Sequence, residues 1–408
     1  MKVLHIAYSD SIGGASVAAM RLHTSLIASG IKSTMLVVNK TTCEDSVVEL
    51  SKLTRFKVKL FRRFAVLIKA LLGIPSTDTV SFNLAKTGVG RHIRLLDPDI
   101  INIHWPHGEM ASIDELVDNR CSIVWTMHDE WLYNGIFNYT TFVDHSSRQN
   151  FIQKYLTKRL IYIVEQNKEK LFLNAPKRPV IVGPSNWITR SARKAVKNHC
   201  GVNFICLHNT YGSFPNFRID SFNAHGYRKV RLLFGATGGG SDPRKGFDFI
   251  PEILRELSKL IDKTQVELHI FGGGSSNEVF NLGYDVVEHG LIESEVELGE
   301  IYRSANLFLM TSRLDNLPNT VLEAGISGTP TIAFDVGGVG DLIPIGYGAV
   351  VDPFDCKKFA RAIVKCLENT SSPQSAIAWR KNLSEIVCEK YSSEVVSRNY
   401  RELYESIA

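Results

Sequence analysis

Short apolar runs rich in β-branched residues recur along this chain, each followed by a longer amphipathic stretch, and that alternation restricts the fold more than any other feature. Residues 3–7, 33–38, 100–104, 122–127 and 180–182 read as strands buried on both faces, and residues 17–29 as a helix with Gly30 at its C-terminal stop. After residue 228 the rhythm restarts, with strands at 230–234, 266–271, 307–310, 331–334 and 349–351 and helices between them. Such alternation makes parallel sheets joined by right-handed crossovers. Two series of it predict an α/β chain with two doubly wound, Rossmann-like domains. The join falls within 209–227, a stretch of Asn, Ser, Gly and aromatics without periodicity, and a last helix near 394–406 follows the second series. The expected boundaries are 1–212, 213–390 and 391–408.

With 408 residues, 44% hydrophobic and 22% charged, the chain has material for two sizeable cores. Its start, MKVLHIAYSDSIGG, reaches acidic Asp10 before any long apolar region, so it is read as a first strand and not as a signal peptide. No run of 18 apolar residues is present to span a membrane. The seven cysteines form no CxxC pair and their number is odd, which argues against a disulfide framework or zinc site and fits a reducing cytosol.

Charge is distributed unevenly. Residues 1–210 hold 27 Lys and Arg against 16 Asp and Glu, whereas residues 211–408 hold 20 against 26. A basic half points to an anionic partner: nucleic acid, phospholipid or a phosphorylated substrate. Much of the excess lies in 52–72, where Lys52, Arg55, Lys57, Lys59, Arg62, Arg63 and Lys69 alternate with Phe56, Leu60, Phe61, Phe64, Leu67, Ile68 and Leu71 and no acidic residue intervenes. A basic amphipathic helix of this kind is suited to an anionic membrane surface. The same pattern fits a surface helix with one core face. No nucleic-acid-binding motif accompanies the charge, so nucleic acid is not expected as a partner.

Candidate chemistry clusters at strand exits. After the strand at 307–310, Pro318 fits the first turn of a helix that runs to about Ser327, and Gly328 suits the position just past its end. Asn316, Leu317, Asn319 and Thr320 then lie at a helix N-terminus beside the strand ends of an open sheet, where free N–H groups attract phosphate. Glu323, one turn further in, is at the depth to accept hydrogen bonds from two ribose hydroxyls, although a capped helix with a solvated glutamate has the same spacing.

After the strand at 230–234, a Gly-rich loop leads to Arg244, Lys245 and Gly246, flexible backbone followed by charges able to neutralise a diphosphate. The spacing is not that of a Walker A loop, and a basic turn before a helix reads equally well. Gly13 and Gly14, after the first strand, offer a third phosphate approach, or simply close packing. In the first half, the strand at 122–127 delivers His128 and Asp129 to its C-terminal end, where a histidine can hydrogen-bond a sugar, pass a proton or cap the strand. His104 ends the neighbouring strand on the same edge, and Trp105, Trp131 and Tyr133 are candidates to stack on sugars. Asp97-Pro98-Asp99 leads into a strand instead of leaving one, so it is not read as a metal-binding DxD.

These motifs resemble those of family 4 retaining glycosyltransferases with the GT-B fold, in the branch that builds bacterial O-antigen, capsule or exopolysaccharide. The likeness covers nearly the whole chain: GGAS (13–16), TMHDEW (126–131), PSNW (184–187), RKG (244–246) and, most specific, DNLPNTVLEAGISGTPTIAF (315–334). The family's paired glutamates are here Asp315 and Glu323, and its arginine just after the strand at 232–235 is replaced by Ala236, with Arg244 as the substitute charge.

The resemblance implies an interdomain cleft, an acceptor-binding N-terminal domain, a nucleotide-sugar-binding C-terminal domain and a final helix returning to the N-terminal domain. It implies His128, Asp129 and Asp315 at the catalytic centre. Gly14, Arg244, Lys245, Asn316, Leu317, Asn319, Thr320 and Glu323 would hold a GDP- or UDP-sugar. It further implies a hexosyltransferase without cofactor or metal, a lipid-pyrophosphate-linked glycan acceptor, and a cytoplasmic protein peripheral on the inner face of the membrane. Whether the acceptor attacks from the front face or Asp315 acts as a nucleophile stays open. Other readings fit less well. A GT-B sugar-nucleotide epimerase has no reason for a lipid-facing basic helix, and a catalytically silent binding protein has no need of His128, Lys245 and Glu323 together. A dinucleotide dehydrogenase lacks its GxGxxG turn.

Overall fold

The computed structural model describes residues 1–117, 120–139, 149–196, 201–214, 229–235, 242–273, 277–368 and 373–408. Ala236, most of the glycine-rich loop before Asp242, and much of the join at 209–227 lie outside the described residues. The chain divides into two compact units, Met1–His208 with Val396–Ala408, and Asn209–Val395.

The first unit is built on β1 (Lys2–Ser9), β2 (Lys32–Asn39), β3 (Val47–Glu49), β4 (Ile100–Trp105), β5 (Ser122–Thr126), β6 (Val180–Gly183) and β7 (Asn203–Cys206). They pair in parallel in the order β3-β2-β1-β4-β5-β6-β7. Both faces of this sheet are covered, which is why its strands are near-continuous apolar runs. Leu4, Ile6, Ile101, Ile103 and Ile123 pack into one cluster, while their alternates Val3, Ile100 and Val124 pack into another with Leu22, Leu26, Tyr400 and Tyr404. The helix Ser393–Ile407 thus completes the second face: Asn102 Nδ2 donates to Tyr404 Oη at 2.7 Å and Ser122 Oγ to the Ile407 carbonyl at 2.5 Å.

The second unit repeats the plan with β8 (Val230–Gly235), β9 (Val266–Phe271), β10 (Asp285–Gly290), β11 (Leu307–Met310), β12 (Thr331–Phe334) and β13 (Gly348–Val351). The order is β10-β9-β8-β11-β12-β13, again all parallel. In each unit the strand order reverses once, between β1 and β4 and between β8 and β11, and open sheets bind ligands at that point, outside the carboxyl ends of the strands.

Two local expectations are corrected. The first helix runs Gly14–Ala28 and so takes in three residues read as loop; Gly13, at φ +89°, is its N-cap. Pro318 is the residue before the helix Asn319–Ile326 and not a member of its first turn, with extended ψ of 122°. At the other end Gly328 adopts φ +69°, the left-handed conformation that closes a helix cheaply only with glycine.

Candidate functional site

In the second unit the loops leaving β8 and β11 are locked together at the switch point. The Arg244 carbonyl accepts from Arg313 N at 2.7 Å, and Thr311 Oγ1 donates to the Lys245 carbonyl at 3.1 Å. Gly246 makes this approach possible: it has φ +65°, and a Cβ there would lie 2.0 Å from the Thr311 carbonyl oxygen. Alanine at Gly246 must therefore push the Arg244–Lys245 turn off β11. The expected result is a loss of about 1–3 kcal/mol of stability in urea unfolding.

The turn so held aims Lys245 at Asp315, with Nζ 2.7 Å from Oδ2 in a pair about four-fifths buried. The Asp315 backbone is fixed as well, its carbonyl accepting from Gly338 N at 3.0 Å. Arg244 turns to its own segment, Nη2 to Asp242 Oδ2 at 2.7 Å, while Asp242 also caps the turn by accepting from Arg244 N. Four residues beyond Asp315 the helix begins, with Asn319 and Thr320 half-buried in its first turn and their N–H groups at its positive end. Asn316 is buried, and the Leu317 side chain belongs to the core, which leaves only its backbone for a ligand.

Glu323 is buried, not solvated, and Tyr302 Oη donates to its Oε2 at 3.3 Å. A capped helix with an exposed glutamate is therefore not what forms. Tyr302 was not legible in the sequence: it comes from the helix Glu295–Ser304, 21 residues earlier, with no motif to mark it.

In the first unit, His128 follows β5, half-buried, with Nε2 3.0 Å from His104 Nδ1; His104 Nε2 in turn lies 2.9 Å from His5 Nδ1 on β1. Burial lowers the His128 pKa to about 4, and it pushes His104 and His5 well below the usual range.

Asp129, expected among the catalytic residues, is engaged in holding the loop that follows. Its carboxylate accepts from Trp105 Nε1 at 2.9 Å, Asn138 Nδ2 at 2.7 Å and Trp131 N at 3.1 Å, and lies 3.3 Å from His107 Nε2. Burial pushes the carboxyl up, but His107 and these donors outweigh it and hold it below the ordinary value, so it stays ionised. Trp131 is buried against His107 and Trp125 with Lys168 over its ring, a packing role that leaves no face for a sugar. Gly14 lies exposed at the start of its helix. Among the described residues nothing comes within 4 Å of where a Gly13 Cβ would be, so it is the positive φ of Gly13 that calls for glycine there.

The helix Lys52–Leu71 buries only Thr54, Val58 and Ala65. Val58 and Ala65 pack into the main core cluster of the first unit, so the helix has one narrow core face, while Leu53, Phe56, Val66 and Leu71, each more than 60% exposed, lie outside it. Arg55 pairs with Glu49, Arg62 donates to Tyr8 Oη, and Lys69 donates to the Ser76 and Asp78 carbonyls; Lys52, Lys57, Lys59 and Arg63 remain exposed. Its C-terminus meets the start of the helix Phe151–Leu173, where Gln153 Nε2 donates to the Leu71 carbonyl at 3.0 Å. There Phe151, Ile152 and Tyr155 extend the exposed apolar surface. Among the described residues no helix is long and apolar enough to cross a membrane.

Comparison with known proteins agrees with this geometry. A family model described as Glycosyl transferases group 1 matches residues 231–369. Mannosylfructose-phosphate synthase of Agrobacterium fabrum is 29% identical over 158 residues, covering 33% of this chain and 34% of that protein. The O-antigen biosynthesis glycosyltransferase WbnH of Escherichia coli is 33% identical over 102 residues, 25% of this chain and 29% of the relative. The chain thus spans about a third of the length of the curated relatives it matches. Among solved structures, HepE of Anabaena in complex with UDP superposes with a TM-score of 0.62 at 14% identity, covering 100% of both chains. Two parallel Rossmann-like sheets and that likeness define a GT-B fold, and residues 231–369 are the part of it that is similar to the glycosyl transferases group 1 model.

Proposed function

We propose that this chain is a retaining glycosyltransferase that moves a hexose from a GDP- or UDP-sugar to a lipid-pyrophosphate-linked glycan in the synthesis of a bacterial surface polysaccharide. The observation that carries the reading is the convergence, at the β8/β11 switch point, of Lys245 paired with Asp315, the N-terminus of the helix Asn319–Ile326 and the buried Glu323. In this reading Glu323 accepts hydrogen bonds from the ribose. The helix N-terminus and Lys245 take the diphosphate, meeting the charge that develops as the glycosidic bond breaks. Gly14 approaches the same phosphates through its backbone, and Arg244 adds a second charge when it exchanges Asp242 for the donor. His128 contacts the transferred sugar, with Asp129 holding its loop, and Asp315 positions Lys245. The UDP complex of the GT-B relative and the O-antigen name of the Escherichia coli relative support the choice of donor class and of product. A thermal-shift series with GDP-, UDP- and dTDP-sugars tests the reading. One donor at 100 times its Kd stabilises the fold by about 2.7 kcal/mol, and a flat response to all of them overturns it.

The exposed basic and apolar surface of the helix Lys52–Leu71 supports peripheral attachment to an anionic leaflet, where the acceptor lipid resides. At about 1 kcal/mol per surface cation, replacing Lys57 and Lys59 with alanine weakens partitioning onto phosphatidylglycerol vesicles roughly 30-fold. Failure to co-sediment with these vesicles refutes membrane attachment, and co-sedimentation unchanged by the double substitution removes Lys57 and Lys59 from it.

A further inference from the structure

His128, His104 and His5 form a hydrogen-bonded row of imidazoles across β5, β4 and β1, with separations of 3.0 and 2.9 Å and successive rings inclined by 27°. The row ends blind. His5 is fully buried, and its Nε2 has no hydrogen-bond partner among the described residues. The neighbouring His23 cannot serve it, because both its nitrogens are taken, by Ser33 Oγ at 2.7 Å and Ser46 Oγ at 2.9 Å.

A neutral imidazole carries one N–H and one bare nitrogen, so the middle ring must donate to one neighbour and accept from the other. Only two arrangements satisfy both links. In the first, His128 Nε2–H donates to His104, His104 donates to His5, and His5 is left with a buried N–H and no acceptor. In the second, His5 Nδ1–H donates to His104 Nε2, His104 Nδ1–H donates to His128 Nε2, and His5 is left with a bare ring nitrogen. An orphaned buried N–H is the costlier and rarer of the two defects. Burial keeps all three rings uncharged near neutral pH, which preserves the choice between these two states.

We propose that His5 and His104 are positioning residues that lock His128 in the Nδ1–H form, presenting a hydrogen-bond donor, and not a base, to an oxygen of the bound sugar. The proposal rests on the reading that His128 contacts that sugar. It excludes a proton-relay role for the row, since a proton entering at His128 has no exit at His5. It also excludes His128 Nδ1 as the group that deprotonates an acceptor hydroxyl, because that nitrogen already carries its hydrogen.

The test is long-range ¹H–¹⁵N correlation on the full chain with labelled histidine at pH 7, signals being assigned by single substitution. The expected result is the Nδ1–H form at His5, His104 and His128, although free histidine favours Nε2–H. A His128 or His104 signal in the Nε2–H or doubly protonated form overturns the proposal, and the deciding spectrum is that of the unsubstituted chain. Next, His104→Leu removes the donor to His128 and is expected to leave His128 averaging between the two forms. His104→Asn, whose amide N–H falls where Nδ1–H was, restores the Nδ1–H signal, and kcat follows it with KM unchanged. A pure Nδ1–H signal for His128 in His104→Leu rejects the positioning role. The ring spectrum is read without any sugar present, so it can fail while donor binding succeeds, and the reverse.

Discussion

Alanine at Lys245 is expected to lower kcat for the proposed sugar transfer by about 10²–10³-fold, the effect of removing one preorganised charge from the place where leaving-group charge develops. Two features of the geometry make this substitution more severe than the loss of a surface lysine. The Gly246 turn and the Thr311 and Arg313 contacts hold the Lys245 backbone in one place, so its ammonium is preorganised beside Asp315. Its partner Asp315 is only 14% exposed and is left as an uncompensated negative charge beside the diphosphate. Removing Asp315 as well relieves that repulsion, so the double variant recovers part of the loss, and a double-mutant cycle on kcat and on donor Kd measures the coupling. Lys245→Arg, which keeps the charge, retains most of the activity. Activity of Lys245→Ala within threefold of the parent removes Lys245 from the donor site.

The first unit loses stability in mild acid, well before its carboxylates titrate. His5, His23, His104 and His128 are all held below the ordinary histidine value, chiefly by burial, with His23 and His128 pushed down to about 4. Above pH 6.5 these rings are neutral in both folded and unfolded chains and have no effect. As pH falls below about 6.5 the unfolded chain binds protons that His23 and His128 in the folded chain refuse until about pH 4, so each of these two removes up to about 1.4 kcal/mol per pH unit across that window, and His5 and His104 act in the same direction. Urea unfolding at pH 7.5 and pH 5.0 reads the difference. Trp105, Trp125, Trp131 and Trp187 report the first unit and Trp379 the second. The midpoint of the first unit is expected to fall sharply while the second shifts less, and equal midpoints at the two pH values refute the account.

What could be read from the sequence followed burial. The strands at 266–271, 307–310 and 331–334 end where periodicity placed them, because strands covered on both faces must be apolar throughout. β3, β7 and β10 escaped notice, and all three are sheet edges: Val47–Glu49 and Asn203–Cys206 are three and four residues long, and Asp285–Gly290 is half-exposed and polar. An edge strand has one neighbour and less to bury, so its apolar run is short or absent; β13, the fourth edge, was legible because Ala349, Val350 and Val351 still form one. At the site, the segment 315–323 and the Arg244–Lys245–Gly246 turn were visible because backbone approach and helix capping demand particular residues at fixed spacing. Partners reached through the fold were not visible. Tyr302 meets Glu323 across 21 residues, and His5 meets His104 across 99, with nothing local to announce either contact. The anchoring contacts of Asp129 were hidden for the same reason: its donors on Trp105 and Asn138 come from different segments, and only the fold brings them together.

The return of residues 396–408 to the first unit sets an order of events during translation. The second unit is contiguous in the chain and can close as soon as it leaves the ribosome. The first cannot. Until Tyr400 and Tyr404 emerge, Val3, Ile100, Val124 and Val182 face an unfilled side of their sheet, and the Asn102 amide waits 302 residues for its phenol partner. The half of the molecule made first is therefore finished last, and a chain truncated before residue 396 pairs a complete second unit with an apolar sheet face open to chaperones and proteases.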